Sequence, residues 1–424
     1  MIRLTSFPMA LTFLVCLSVS VDFRTSLGNI IRATPNLWKA IIILVLIQCL
    51  SIAFSKNPMQ SIQKLLVAQT AWTGIFFVSC YVFVKPGRVQ RWAVIIWVMA
   101  LLVGTLGLLE RQEHRVLWGA HIPSFLKVGD EVVQRILQGA SRSATGQYRI
   151  QSTFSTALGL SEFCALSMPF VLHFLAGKYH FLVRFAALLT IPFLLNVIIN
   201  TDARLGLLGF FLSLMIYLFL WGVLRWTKSR ESLVGPATVL VYPVIFCAFV
   251  ASSFLVGQIK NKVWGTGQYN ASNAARMAQL KAGTPQVLDH PVGHGIGMGG
   301  GALGYTNKAG VQTVDSYFLQ VGLDVGILGL LAYSSVLILS VYYALKYSFT
   351  DAGREKENSF LVPLAVCIVN FIAIKFVFAN DDNHPMIFMA MGIIAALVYR
   401  IRSETEVGFG VPKPRRNAFR RPRL

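Results

Sequence analysis

A chain of 424 residues that is 55% hydrophobic and only 13% charged, with a mean hydropathy of +0.61, does not read as a soluble globular protein, in which about a quarter of residues are charged. The formal net charge of +20 would suggest nucleic acid in a soluble protein. Here the basic residues sit in short segments between apolar runs and in the tail, with no basic stripe interleaved with aromatics, so no nucleic-acid partner is expected and the charge fits topology signals and anionic headgroups.

Backbone polar groups in lipid must be satisfied within the segment, so long apolar runs mean helices. In chain order the runs lie at about 6–22, 38–54, 65–84, 91–109, 153–175, 181–199, 204–223, 236–257, 317–345, 359–379 and 385–401. The first has the length of a signal peptide but lacks a strong basic start and a clear A-x-A site, so it is read as a span. The expected fold class is an all-α, polytopic transmembrane helical bundle of about eleven spans with two long outer loops. The organisation follows as 1–109, N-terminal helices; 110–152, first outer loop; 153–257, central helices; 258–315, second outer loop; 316–401, C-terminal helices; and 402–424, a basic tail.

The Lys and Arg bias sets the orientation. Alternate short loops hold Arg24, Arg32 and Lys39; Lys85, Arg88 and Arg91; Lys178 and Arg184; Arg225, Lys228 and Arg230; and Lys346, Arg354 and Lys356. The opposite short loops are poor in cations, and the tail adds more of them from Arg400 to Arg423. The C-terminus is therefore expected in the cytoplasm and both long loops outside. The cysteines, Cys16, Cys49, Cys80, Cys164, Cys247 and Cys367, all lie in apolar runs with no CxxC pair, and read as small apolar side chains.

Charges at membrane depth mark candidate function. Glu162, Asp324 and Lys375 qualify, with Glu110 at an edge. Each also has a plainer role: Glu162 paired with a neighbouring helix, Lys375 snorkelling outward, Asp324 beside a kink at Gly326 and Gly329. The sharper cluster lies at the outer face. In Asn200-Thr201-Asp202-Ala203-Arg204 an Arg starts a helix, where the macrodipole favours an anion; a bound anion or a headgroup resolves that conflict. Asn270 or Ser272 can cap a short helix that presents Arg276. Then come Asp289-His290-Pro291-Val292-Gly293-His294-Gly295-Ile296-Gly297 and Gly299 to Gly301, where backbone N–H groups can cradle phosphate oxygens. Neither a Walker loop nor a dinucleotide fingerprint fits. His290 and His294 lack a third ligand, so no metal is expected. Asp315 opens the ninth run and reads either as a helix cap or as a general base. His290, His294, Asp289 and Asp382 are the other candidate bases.

These segments together resemble the O-antigen ligase and O-antigen polymerase superfamily, polytopic bacterial glycosyltransferases of the C type. The resemblance rests on His290-Pro291 through Gly297, then Asp315-Ser316-Tyr317-Phe318-Leu319-Gln320-Val321-Gly322-Leu323-Asp324-Val325-Gly326-Ile327-Leu328-Gly329. Thr201-Asp202-Ala203-Arg204-Leu205-Gly206 looks like the family's Ser-Arg-Gly helix start, and Arg276 stands where a family Arg does. Gln151-Ser152-Thr153-Phe154 through Pro169, and Ser51-Ile52-Ala53-Phe54-Ser55 with Asn57-Pro58, match in order. The resemblance implies transfer of a glycan from undecaprenyl diphosphate at the periplasmic face of the bacterial inner membrane. Arg204 and Arg276 match the diphosphate-clamping arginines, with Gly293, Gly295 and Gly297 beside them. Asp315, His290 and His294 are the implied catalytic candidates. No metal or other cofactor is implied. The expected partners are the lipid-linked glycan, membrane lipids and other polysaccharide-assembly proteins. Ligases typically carry a His where this chain has Asp315, which favours a polymerase of oligosaccharide repeat units. The alternatives are a ligase to lipid A core and, in a different class, a secondary transporter or flippase.

Overall fold

The computed structural model describes residues 2–122, 136, 137, 139–141, 146, 148–228, 233–255, 270–306, 312–354 and 356–408. The helices are α1 (Ile2–Val19), α2 (Val21–Arg32), α3 (Pro35–Ser51), α4 (Pro58–Ala68), α5 (Gly74–Val82), α6 (Arg88–Glu113), α7 (Ala157–Ala176), α8 (Phe181–Asn200), α9 (Arg204–Lys228), α10 (Val234–Leu255), α11 (Asn270–Asp289), α12 (Gly299–Leu303), α13 (Tyr317–Ser348), α14 (Leu361–Lys375) and α15 (His384–Gly408). Strand pairing among the described residues is confined to Ala140–Ser141 against Tyr148–Arg149 and a bridge between Thr306 and Gln312. The chain is an all-α polytopic bundle.

Nine helical segments among the described residues are long and apolar enough to cross a membrane, and ten if a bent N-terminal pair counts as one span. The structure alters the sequence reading at the first run. The first run breaks at Ser20, whose extended backbone and hydroxyl cap the N–H of Phe23 and start a new helix; Pro8–Val19 and Val21–Arg32 meet at 105°. The eighth run lies in α10, a single helix from Val234 to Leu255 with Pro243 inside it. The third span starts earlier than hydropathy suggests. Asn57 caps the N–H of Gln60, Pro58 occupies the first turn, and α4 runs into α5 through a π-helical turn, Gln69–Thr73.

α7, α14 and α15 form the centre, with most of their apolar windows buried. α8, α9 and α3 lie outside them and expose Leu188, Leu189, Leu208 and Leu46. In water such faces would be a large apolar patch; in hydrocarbon they are the solvated surface. α9 lies close on α7 because Gly206 has no side chain: a Cβ there would fall 1.6 Å from the Ser161 hydroxyl. Deeper in the same interface the Asn370 amide donates to the Ala165 and Gly209 carbonyls and to Ser213 Oγ.

Two of the intramembrane charges pair with each other. Lys375 Nζ lies 2.9 Å from Glu162 Oε1 with both side chains wholly buried, so the lysine does not snorkel. It also donates to the Asn380 carbonyl, and Asn383 donates to Glu162 Oε2. This network pins the short turn before α15 onto α7. Glu110 does the same for the end of the first long loop, accepting from the Tyr148 hydroxyl and the N–H groups of Gln151 and Ser152.

Candidate active site

Three of the sequence-selected residues meet at one end of the bundle. The turn between α8 and α9 carries Asp202 with a left-handed φ of 47°, which Asp tolerates better than most residues. Thr201 closes the turn through its hydroxyl, bonded to the Ile198 carbonyl at 2.6 Å and to the Ala203 N–H at 3.3 Å. Arg204 is thereby set at the first position of α9. Arg149, from the first long loop, donates to the Thr201 carbonyl at 2.9 Å and helps hold the turn. Arg115 pairs with Glu113 at the surface. Arg135 and Arg142 of the same loop lie outside the described residues, as does the tail from 409 onward.

Facing this turn is α11, a 20-residue helix where the sequence suggested a short one. Asn273, Arg276 and Gln279 recur at i, i+3 and i+6 and so share one face. Asn273 Oδ1 accepts from Arg204 at 3.4 Å. Arg276 Nε lies 3.7 Å from Asp315 Oδ2. Gln279, buried, accepts the Asp315 N–H at 2.8 Å and fixes the residue ahead of α13. Ser316, and not Asp315, caps α13 by accepting from the Leu319 N–H. The Asp315 carboxylate is therefore available for something other than capping. Burial raises its pKa above the usual carboxylate value, and Arg276 partly offsets that. Arg276 Nε is buried and makes no hydrogen bond, so its fork is oriented by the ion pair without being saturated.

His290, His294 and the glycines lie elsewhere. About 20 Å of α11, at 1.5 Å per residue, separates Arg276 from Asp289 just before the turn. The turn runs against a break in α13, where Gly326 adopts φ 70° and ψ −175° inside the helix. His294 N–H and Gly295 N–H donate to the Leu323 and Asp324 carbonyls that the break releases, at 2.9 and 3.0 Å, and Gly299 N–H donates to Asp324 Oδ1. Gly293, Gly295 and Gly297 all have positive φ. A Cβ on them would strike, in turn, the Asp324 carbonyl, Ser55 and Lys64 at 2.5–2.6 Å. Gly293 thus allows backbone-on-backbone packing at the break, and Gly295 and Gly297 make room for the side chains of Ser55 and Lys64. The His290 and His294 rings stack edge to face at 4.4 Å, and no third His, Cys, Asp or Glu joins them among the described residues.

Between these two places lies a cavity of about 150 Å3 one turn along α13 from Asp315, lined by Gln320, Tyr317, Asp324, Lys64, Asp381 and Asp382 among others. Sequence reading passed over Asn273, Gln279 and Lys64. Asn273 and Gln279 had a usable signal, since they share the Arg276 face of a helix; Lys64 had none, because α4 reaches the glycine turn only through the fold.

The family model described as O-antigen ligase matches residues 188–334. That match supports the O-antigen ligase and polymerase superfamily. The matched segment covers about a third of the chain and contains every candidate residue from Arg204 to Asp315, together with the Gly326 break. It implies glycosyltransferase-type activity in the broad sense, on a lipid-linked glycan. With the apolar helices it suggests a multi-pass protein of the inner membrane. No curated protein matches the chain.

Proposed function

We propose that the chain polymerises undecaprenyl-diphosphate-linked oligosaccharide repeat units at the periplasmic face of the membrane. The observation that carries this reading is the meeting of Arg204, Arg276 and Asp315, from three separate parts of the sequence, at one end of the bundle. Asp315 takes the proton of an acceptor hydroxyl as its oxygen attacks the anomeric carbon of the growing glycan. The bond from that carbon to the diphosphate oxygen breaks, and the undecaprenyl diphosphate leaves. Two guanidiniums neutralise the charge gathering on it. A base with a raised pKa inside reach of such a cation suits proton abstraction near neutral pH. The cavity beneath Asp315 offers hydroxyl-binding side chains for the acceptor sugar.

A ligase uses the same leaving group, and the matching family model carries that description; Asp315, where ligases typically have a His, favours the polymerase. The test is glycan analysis of cells lacking the protein, complemented with wild type or Arg276→Ala at equal protein level. Accumulation of single lipid-linked repeat units with loss of long polymer supports the polymerase. Finished polymer left on the carrier assigns a ligase. Unchanged glycan in every strain overturns the glycosyltransferase reading and leaves a transporter.

A further inference from the structure

At the opposite end of α9, about 36 Å from Arg204 at 1.5 Å per residue, a second and larger cavity of about 1020 Å3 opens among the ends of α6, α7, α9 and α15. Its lining includes Lys178, Arg225, Lys228, Arg354 and Arg400, with Glu357 as the carboxylate among the described lining residues. Glu357 is already committed. Its oxygens accept from the N–H groups of Gly87 and Gln90 at the start of α6, at 2.8 and 2.9 Å, and from Arg400 at 2.8 Å. It therefore neutralises Arg400 and the helix start, and leaves the other cations facing one another.

Arg354 shows the imbalance. Its side chain is largely buried; it donates to Thr227 Oγ1 at 2.8 Å and lies 3.8 Å from the fully exposed Asp351, yet its Nε is buried without a hydrogen-bond partner. A buried donor left unmatched is costly. Arg225 is held over the Trp221 ring at 5.3 Å, which keeps a guanidinium at the cavity edge. Several cations around a space this large are stabilised by an anionic group with more than one acceptor oxygen, which a phosphate ester supplies and Arg recognises through its fork. Leu224, Trp221 and Val362 add an apolar wall, so the phosphate enters with hydrocarbon beside it.

We propose that this cavity binds the phosphate headgroup of an anionic phospholipid, a site separate from the Arg276–Asp315 end and independent of the reading given to it. Clustered Lys and Arg at the ends of spans attract such headgroups electrostatically. The shared chemistry is a phosphate ester, and a soluble phosphate compound is the competing source.

The experiment uses the full chain in detergent, titrated with phosphatidylglycerol or phosphatidylcholine of matched acyl chains and read by native mass spectrometry. Retention of phosphatidylglycerol is expected at concentrations about tenfold below those for phosphatidylcholine. The Arg225→Gln/Lys228→Gln double variant alters two exposed side chains and should erase that preference, whereas Lys281→Gln, exposed on α11, should leave it intact. Arg354→Gln should act as the double variant does. Equal retention of the two lipids, or a preference that survives in the double variant, overturns the proposal. Displacement of phosphatidylglycerol by inorganic diphosphate also overturns it, and assigns the cavity to a soluble phosphate compound.

Discussion

Arg276 and Asp315 stand 3.7 Å apart, each about one-third exposed, so their pairing adds little to stability, and the role proposed for them is chemical. Removing the cation with Arg276→Ala should lower turnover of a lipid-linked repeat unit by about 10²–10³-fold, the scale of losing one transition-state charge donor; an assay in nanodiscs checks it. Asp315→Asn should cost about 10²–10⁴-fold if the carboxylate is the base, and a variant that keeps full activity would show that it is not. The pH dependence has a definite sign. Asp315 accepts a proton only when ionised, and burial has raised its pKa. Activity should therefore fall with decreasing pH at a higher pH than an ordinary carboxylate allows. Because Arg276 is the opposing, lowering influence, Arg276→Lys should keep the acid limb near its place, while Arg276→Ala should move it upward. These residues were visible in the sequence because an Arg at a helix start and an acid at the head of an apolar run are locally anomalous. Asn273 and Gln279 are ordinary on a polar helix, and only the partner surface gives them meaning.

At the level of elements, the broken helix and the buried pair carry the architecture. Gly326 lets α13 change direction; a Cβ there would lie 2.0 Å from the Pro291 carbonyl oxygen and force φ 70° on a side chain. Gly326→Ala should lower the melting temperature and loosen the glycine turn, seen as faster proteolysis near His290. The Glu162–Lys375 pair, wholly buried, should behave as such pairs do: Lys375→Met alone strands a carboxylate and costs about 3–5 kcal/mol, while Glu162→Gln/Lys375→Met together recovers much of it. Thermal unfolding of the wild type and these two variants in one detergent compares them. Hydropathy located most of these elements, since a span must be apolar over its length whatever it packs against. It did not find the bend at Ser20 or the early start at Pro58. Both depend on caps a few residues long inside or beside an apolar stretch, and averaging over a window removes them.

Across the whole molecule, α9 links two cationic ends, one carrying Arg204 and the other Arg225 and Lys228. On the orientation expected from the Lys and Arg bias of the loops, the first faces outside and the second the cytoplasm. A cysteine at Lys281, in a background with the native cysteines replaced, should react with a membrane-impermeant maleimide in intact cells, and one at Lys228 only after the membrane is opened. The reverse pattern would invert the assigned topology and remove the periplasmic site.

Sequence alone determined the solvent, the class and the order of candidate residues. Transfer of apolar segments into lipid is additive along the chain, so composition and run length decide it without any tertiary partner. Which candidates form one site was decided only by the tertiary structure. Arg204, Arg276 and Asp315 converge because α11 folds back across the start of α9. The glycines and His290 and His294, nearer to Arg276 in sequence than Arg204 is, are carried down α11 to the break in α13. Convergence of residues far apart in the chain depends on how helices cross, and no local pattern records that.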